Sequence, residues 1–208
     1  MASTPFNTSL LGTPGHYRPQ QTALLLLDYS HFIINNTGAK AHSAVKVATS
    51  MRAWARSHGI EVIHCLIDFS GDTDPLHTYK DLSRLQGLIA RVQTSESGSE
   101  PAELLEGAAD KTFYRRLGNI SAIHPADVKQ YLRGKGIKSL VIMGLSTSGC
   151  VLRTSFEAAE EGFVVTIISD GCADRDQDVH EVLFSKVLQQ AAFAMTAAEF
   201  QQGYEETI

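Results

Sequence analysis

Cysteine is scarce in this sequence: the three residues present, Cys65, Cys150 and Cys172, are odd in number and lie far apart. Such a set is neither a disulfide framework nor a group of zinc ligands. No apolar run approaches the roughly 20 residues that span a bilayer. The first twenty residues lack the basic and apolar regions of a signal peptide. We therefore expect a cytoplasmic globular protein with free thiols and no membrane partner.

Clusters of basic residues are also missing. The chain has 18 Lys and Arg residues against 23 Asp and Glu, a formal net charge of −5. A mildly acidic chain of this kind argues against a nucleic-acid partner. Hydrophobic residues make up 43% and charged residues 20% of the 208 positions, a globular composition that excludes global disorder. A chain of this length can bury one core without disulfide or metal support.

Short apolar runs alternate with segments of helical spacing. The runs predicted as buried parallel strands span residues 22–28, 60–68, 137–144 and 163–170. The segments predicted as helices span residues 41–58, 124–136, 150–162 and 176–192, with a tail beyond them. This alternation predicts an α/β fold, a single-domain doubly wound parallel sheet with helices on both faces.

The remaining segments lie outside this alternation. We expect residues 1–20 to form an N-terminal extension and residues 21–208 to form the domain. Residues 71–110 are rich in Gly, Ser, Asp and Pro around one predicted helix at 81–92. They are predicted to form a surface excursion that borders a site, rather than a linker between two domains.

The turn Gly144–Cys150 follows the third predicted strand, at the sheet edge where ligands of such folds bind. It is not a phosphate-binding loop, because Cys150 and Val151 stand where Lys and Ser or Thr are required. It is not an esterase elbow, because Ser148 replaces the second glycine. Cys150 then starts a predicted helix, where N–H groups and the helix dipole favour a thiolate and an oxyanion. The alternative role is a small buried hydrophobe, which we expect for Cys65 and Cys172.

A thiol nucleophile needs a base and a group that balances charge. Asp28 ends a wholly apolar run, and a carboxylate there is costly to desolvate unless it is paired. Lys111 is the expected cationic partner, although Asp28 could instead be an ordinary cap or strand-end acid. The scattered histidines are expected to be polar surface or strand-end residues rather than catalytic bases: His31, His64, His77, His124 and His180.

Three blocks together resemble the isochorismatase-like cysteine hydrolases: TALLLLDYSHF, DKTFY and VIMGLSTSGCVLRTSFEAAEEGFVVTIISDGCAD. That family includes nicotinamidases, N-carbamoylsarcosine amidohydrolases and isochorismatases, and the resemblance covers roughly residues 20–195. It implies a catalytic triad of Asp28, Lys111 and Cys150. It also implies a cis peptide between Leu145 and Ser146, an oxyanion hole formed by the N–H groups of Ser146 and Cys150, and a homo-oligomer, either a dimer or a tetramer.

The expected activity is hydrolysis of an amide-like C–N bond in a small molecule through a thioester on Cys150. One alternative is cleavage of a vinyl ether with Asp28 as proton donor, which needs no thiol. Another is a non-catalytic binding protein of the same fold. Phe32 and Tyr114, which follow Asp28 and Lys111, are expected to be pocket walls, or else ordinary core aromatics.

The sequence departs from the resembled pattern at the metal site and the pocket. Nicotinamidases carry Asp-x-His after the second strand, whereas this chain has Asp68 followed two positions later by Ser70. A hydroxyl is a weak ligand compared with imidazole, so we expect no metal and no other cofactor. The alternative is a makeshift site built from Asp68 with nearby Asp72, Asp74 and His77. Ser30 replaces a frequent Gln, and Arg115 and Arg116 replace residues that are usually small.

Overall fold

The computed structural model describes residues 5–69, 98–107 and 110–208, together with Ser83, Gln86, Gly87, Ala90 and Val92. These residues form a six-stranded sheet in the order β3-β2-β1-β4-β5-β6, and all neighbouring strands are parallel. The strands are β1 (Thr22–Leu27), β2 (Glu61–Asp68), β3 (Lys111–Arg116), β4 (Ser139–Gly144), β5 (Val164–Ile168) and β6 (Phe193–Met195). The predicted single-domain α/β parallel sheet is confirmed.

Five of the described α-helices lie between strands in the chain, and the sixth follows β6. They are α1 (His31–Thr37), α2 (Ala39–Ser57), α3 (Ala126–Gly134), α4 (Leu152–Glu160), α5 (Gln177–Val182) and α6 (Ala197–Glu205). The predicted helix at 176–192 is regular only over α5, and wider and tighter helical turns follow it at Leu183–Val187 and Leu188–Gln190. The predicted helix at 81–92 lies largely outside the described residues, as does most of the excursion at 71–110.

The four predicted strands correspond to β1, β2, β4 and β5, whereas the two edge strands are additions to the prediction. An edge strand is not buried on both faces, so it lacks a continuous apolar run. In β3, Phe113 and Arg115 are buried while Tyr114 between them is exposed. β6 has three residues, all half-buried, in the stretch predicted as the tail.

The core lies on both sides of β1 and β4, whose residues are all buried. Small side chains on α2, among them Ala41, Ala44 and Ala48, belong to the same buried cluster. Gly144 ends β4 so close to β1 that a Cβ there would lie 2.5 Å from the carbonyl oxygen of Leu27. A glycine is therefore required where β4 passes the residue that precedes Asp28.

The sheet order reverses between β1 and β4, because the chain runs from β1 to β2 and β3 on one side and from β4 to β5 and β6 on the other. In open α/β sheets this switch point, beyond the carboxyl ends of the strands, is where ligands bind. Asp28 directly follows β1, and Leu145 directly follows β4.

The N-terminal segment packs against the last helix. The rings of Phe6 and Phe200 lie with centroids 5.9 Å apart, and the boundary at residue 20 remains a prediction. No helix in the described part of the chain combines the length and the apolar character that a bilayer crossing requires.

Candidate active site

Asp28 directly follows β1, and a backbone hydrogen bond to β2 holds it at the end of the sheet. Its backbone has a φ of 57°, a left-handed conformation that Asp tolerates better than most residues. Its N–H donates to the carbonyl oxygen of Cys65 on β2 at 3.1 Å. The residue is 3% exposed. This geometry buries a carboxylate at the switch point, where an unpaired charge is strongly disfavoured.

Cys150 lies in the turn that follows β4. The peptide between Leu145 and Ser146 is cis, as the sequence resemblance implied. The Cys150 thiol donates to the carbonyl oxygen of Leu145, with Sγ and the oxygen 3.1 Å apart. The prediction that Cys150 starts a regular helix was inaccurate: it lies in a wide helical turn, Thr147–Val151, and α4 begins at Leu152.

The cation beside Asp28 is Arg115. Its NH1 donates to Oδ1 of Asp28 at 2.9 Å, and its NH2 donates to Oδ2. Its Nε donates to the carbonyl oxygen of Asn119 at 2.9 Å, which fixes the plane of the guanidinium. Burial alone would lower the pKa of Arg115, but the Asp28 carboxylate outweighs burial and raises this pKa above its usual value. The guanidinium is therefore a permanent charge.

Lys111 is not the partner of Asp28, which corrects the sequence prediction. In the register of β3 against β2, Lys111 pairs with Ile63 and Arg115 pairs with Ile67. Four residues along a strand span about 13 Å, so Lys111 lies toward the opposite end of the strand from the site. Its ammonium lies 5.0 Å from the ring centroid of Phe113. Arg115 lies near the carboxyl end of β3, a strand that the sequence did not predict, and this position is what brings it to the site.

The surroundings of Cys150 favour its protonated thiol. Burial raises its pKa well above the usual value, and the Asp28 carboxylate raises it further, while the Arg115 charge opposes both. This direction is opposite to the thiolate that the sequence analysis expected at Cys150, and its largest cause is burial of the side chain. Burial likewise raises the pKa of Cys65 and of Cys172 to about 12, in keeping with the buried, unreactive role expected for these two residues.

A cavity of about 510 Å³ opens over these groups. Its walls include the predicted residues Asp28, Cys150, Leu145, Ser146 and Phe32. Tyr114, the other predicted wall, is absent from the lining and is 61% exposed. Because side chains alternate along a strand, Tyr114 points away from the face on which Phe113 and Arg115 are buried.

Further polar residues that no sequence pattern predicted also line this cavity: Asn36, Thr37, Asn119, Asp174 and Arg175. Arg175 is exposed, and within the described part of the chain no carboxylate pairs with its guanidinium. Its position in the loop after β5 gave no local pattern to identify it.

The metal candidates fall mainly outside the described residues, namely Ser70, Asp72, Asp74 and His77. Asp68 is described at the end of β2, where its backbone pairs with Arg116 on β3. Across the described ranges, no group of three or more His, Cys, Asp or Glu side chains is arranged to hold a metal ion.

Comparison with known proteins identifies relatives over most of the chain. The family model described as the isochorismatase domain matches residues 22–199. A maleamate amidohydrolase of Pseudomonas putida is 25% identical over 169 residues, 78% of this chain and 76% of that protein. A probable hydrolase of Escherichia coli, YcaC, is 28% identical over 109 residues, and the match spans 52% of each chain.

Solved structures share the fold. A cysteine hydrolase from Pseudomonas syringae superposes with a TM-score of 0.78 at 18% identity, covering 92% of this chain and 96% of that one. An N-carbamoylsarcosine amidase from Thermoplasma acidophilum superposes with a TM-score of 0.64 at 18% identity, covering 85% and 96% of the two chains.

Proposed function

Because the chain belongs to the isochorismatase family of hydrolases, we propose that it is a cysteine hydrolase that cleaves an amide-like C–N bond in a small molecule. The observation that carries this proposal is a single cavity lined by a thiol, a carboxylate and a guanidinium: Cys150, Asp28 and Arg115. The amidohydrolase named among the relatives supports the same bond type.

In the proposed acylation step, Asp28 accepts the proton of the Cys150 thiol as Sγ attacks the carbonyl carbon of the substrate. A C–S bond forms, and the carbonyl electron pair moves to oxygen. The N–H groups of Ser146 and Cys150 are the proposed donors to this oxyanion. Collapse of the intermediate breaks the C–N bond, and the amine leaves with the proton held by Asp28.

In the deacylation step, Asp28 accepts a proton from water, whose oxygen attacks the thioester carbon. The C–S bond breaks, the acid is released and the proton returns to Sγ. A thiol with a raised pKa suits this scheme. In the scheme the thiol is activated by proton transfer to Asp28 after the substrate binds, and no thiolate is needed in the free enzyme.

Arg115 supplies charge and orientation in this scheme, and it transfers no proton. Its raised pKa keeps the guanidinium charged throughout the cycle. Two parallel hydrogen bonds fix the plane of the Asp28 carboxylate. When Asp28 takes up the thiol proton, Arg115 also balances the charge that appears on Sγ, since its charge lowers the pKa of Cys150.

The cavity also indicates the kind of substrate. Its volume of about 510 Å³ suits a small molecule. The exposed guanidinium of Arg175 on its wall would pair with an anionic group of that molecule. We therefore propose a small amide that carries a carboxylate or another anion away from the scissile bond.

Vinyl-ether cleavage is less consistent with this geometry. That reaction starts from a protonated Asp28, whereas both carboxylate oxygens accept hydrogen bonds from Arg115. A carboxylate held in this way is suited to accept the Cys150 proton, as amide hydrolysis requires.

The test is a panel of small amides, ureides, maleamate and isochorismate assayed with the wild type, Cys150→Ala and Cys172→Ala. We expect the wild type and Cys172→Ala to release amine from an anionic amide and Cys150→Ala to release none. Mass spectrometry of acid-quenched enzyme should detect the acyl group on Cys150. Amide turnover by Cys150→Ala contradicts the thioester mechanism. Equal isochorismate cleavage by all three proteins favours the vinyl-ether reaction, and no turnover of any compound favours a binding protein.

A further inference from the structure

The turn that carries Cys150 is irregular. Gly149 has a φ of −98° and a ψ of −108°, outside the helical range. The N–H groups of Gly149 and Val151 both donate to the carbonyl oxygen of Ser146, at 3.1 and 3.3 Å. Two donors share one acceptor, so this part of the turn lacks the one-to-one bonding of a regular helix. Its geometry therefore depends on contacts from outside the turn.

Those contacts come from residues 173–180. The N–H of Thr147 donates to the carbonyl oxygen of Ala173 at 3.0 Å. The N–H of Ser148 donates to Oδ2 of Asp174 at 2.7 Å. Oγ1 of Thr147 and Nδ1 of His180 form a third hydrogen bond at 2.8 Å. Two of the three bonds end on Thr147, the neighbour of Ser146 in the proposed oxyanion hole.

His180 is itself firmly held. It lies on α5, whose first turn is capped by the Asp176 side chain, an acceptor from the N–H groups of Asp178 and Val179 at 3.0 and 3.2 Å. The His180 ring lies 4.8 Å from the ring of Phe184. Thr147 is fully buried, so its hydroxyl requires a partner within the protein.

The charge state of the His180 ring agrees with its hydrogen bond to Thr147. Burial lowers the pKa of His180 and Lys40 lowers it further, whereas Asp174 and Glu181 act in the opposite direction. The net pKa is below the usual value, which favours the neutral imidazole. One of its nitrogens is then an acceptor, and Nδ1 can accept a hydrogen bond from the Thr147 hydroxyl.

We propose that His180 is a positioning residue of this active site: through its hydrogen bond to Thr147 it fixes the turn that presents the Ser146 and Cys150 N–H groups and the Cys150 thiol. It is not a catalytic residue, since it lines a separate surface groove and not the cavity over Cys150. The catalytic consequence rests on the proposed hydrolase function, whereas the structural coupling does not.

Four single variants and one double variant test the bond. His180→Ala and Thr147→Val remove it, while His180→Asn and Thr147→Ser keep a hydrogen-bonding group near each position. We expect each removal to lower kcat about tenfold with little change in KM, because small displacements of catalytic groups carry penalties of this order or more. His180→Asn and Thr147→Ser should restore most of kcat. The double variant His180→Ala/Thr147→Val should be no slower than either single variant, since both remove one shared interaction.

A second readout is independent of any substrate. Cys150 is 3% exposed, so a loosened turn should admit iodoacetamide more readily. We expect peptide mass spectrometry to show Cys150 alkylated several-fold faster in His180→Ala than in the wild type or His180→Asn, with Cys65 and Cys172 unchanged. His124→Ala, at an exposed histidine, is the matched control, and thermal melts identify any variant that fails to fold.

The outcomes separate the two proposals. The positioning role is overturned if His180→Ala has the kcat and the Cys150 alkylation rate of the wild type. It is also overturned if the losses in kcat are fully additive in the double variant. A wild type that turns over no compound overturns the proposed hydrolase function, yet the alkylation rates still decide whether His180 holds the turn.

Discussion

Arg115 donates from both terminal nitrogens to both carboxylate oxygens of Asp28, and each of the two side chains is less than 5% exposed. A buried pair of this kind is expensive to break, because removal of one partner leaves the other charge unpaired. The pair connects the edge of the sheet at β3 with its centre at β1, and it lies on the wall of the cavity that contains Cys150.

Replacement of the two candidate cations distinguishes their roles. Arg115→Ala should abolish amide hydrolysis and destabilise the fold by about 3–5 kcal/mol, because it leaves the Asp28 carboxylate buried without a partner. Lys111→Ala should retain wild-type activity, since its ammonium lies against Phe113 and outside the site. Urea denaturation measures the stability and an amine-release assay the activity. The opposite ranking of the two variants would restore Lys111 as the partner.

Removal of the Asp28 charge should separate activity from thiol reactivity. Asp28→Asn is expected to lose at least about 10²-fold in turnover, the scale of a general acid–base contribution. The Asp28 carboxylate raises the pKa of Cys150, so its removal lowers that pKa and increases the thiolate fraction at a given pH. The pH profile of Cys150 alkylation should therefore move to lower pH in Asp28→Asn. Lys111→Ala, which removes a charge that lies against Phe113 and outside the site, is the control and should leave the profile near that of the wild type.

The rate of Cys150 alkylation in the wild type should also change with pH in a defined direction. Because burial and Asp28 raise the pKa of Cys150, alkylation should be slow at pH 7 and accelerate as the pH rises beyond the usual thiol range. A profile of Asp28→Asn displaced to higher pH, or a wild-type rate that is already maximal at pH 7, would contradict this account of the electrostatics.

Chelation should leave the activity intact. Nicotinamidase-like metal binding needs an imidazole where this chain has Ser70, and hydroxyl oxygen is a weak ligand for zinc, iron or manganese. We expect full amide hydrolysis after dialysis against EDTA, with metal content measured by elemental analysis. Activity that disappears and returns with added zinc, iron or manganese would instead indicate a site that includes Asp68, Asp72 and His77.

The sequence by itself determined the features that depend on local composition. The buried strands β1 and β4 are continuous apolar runs, because both faces of a central parallel strand are covered by helices. Asp28 could be identified because it directly follows the apolar run of β1, and Cys150 because it lies in the turn after the apolar run of β4. Both positions are at the edge of the sheet where ligands bind. Phe32 and the Leu145–Ser146 peptide lie within a few residues of those two positions.

Only the tertiary structure decided which cation meets Asp28 and what holds the Cys150 turn. Lys111 and Arg115 lie four positions apart on one edge strand, and their distances from the site are set by the register of β3 against β2. This register pairs residues that are far apart in the chain, such as Ile67 with Arg115. No local sequence pattern therefore reveals it. The Thr147–His180 bond likewise joins residues 33 positions apart. The raised pKa of Cys150 has the same origin, since burial is a property of the assembled core and not of the turn alone.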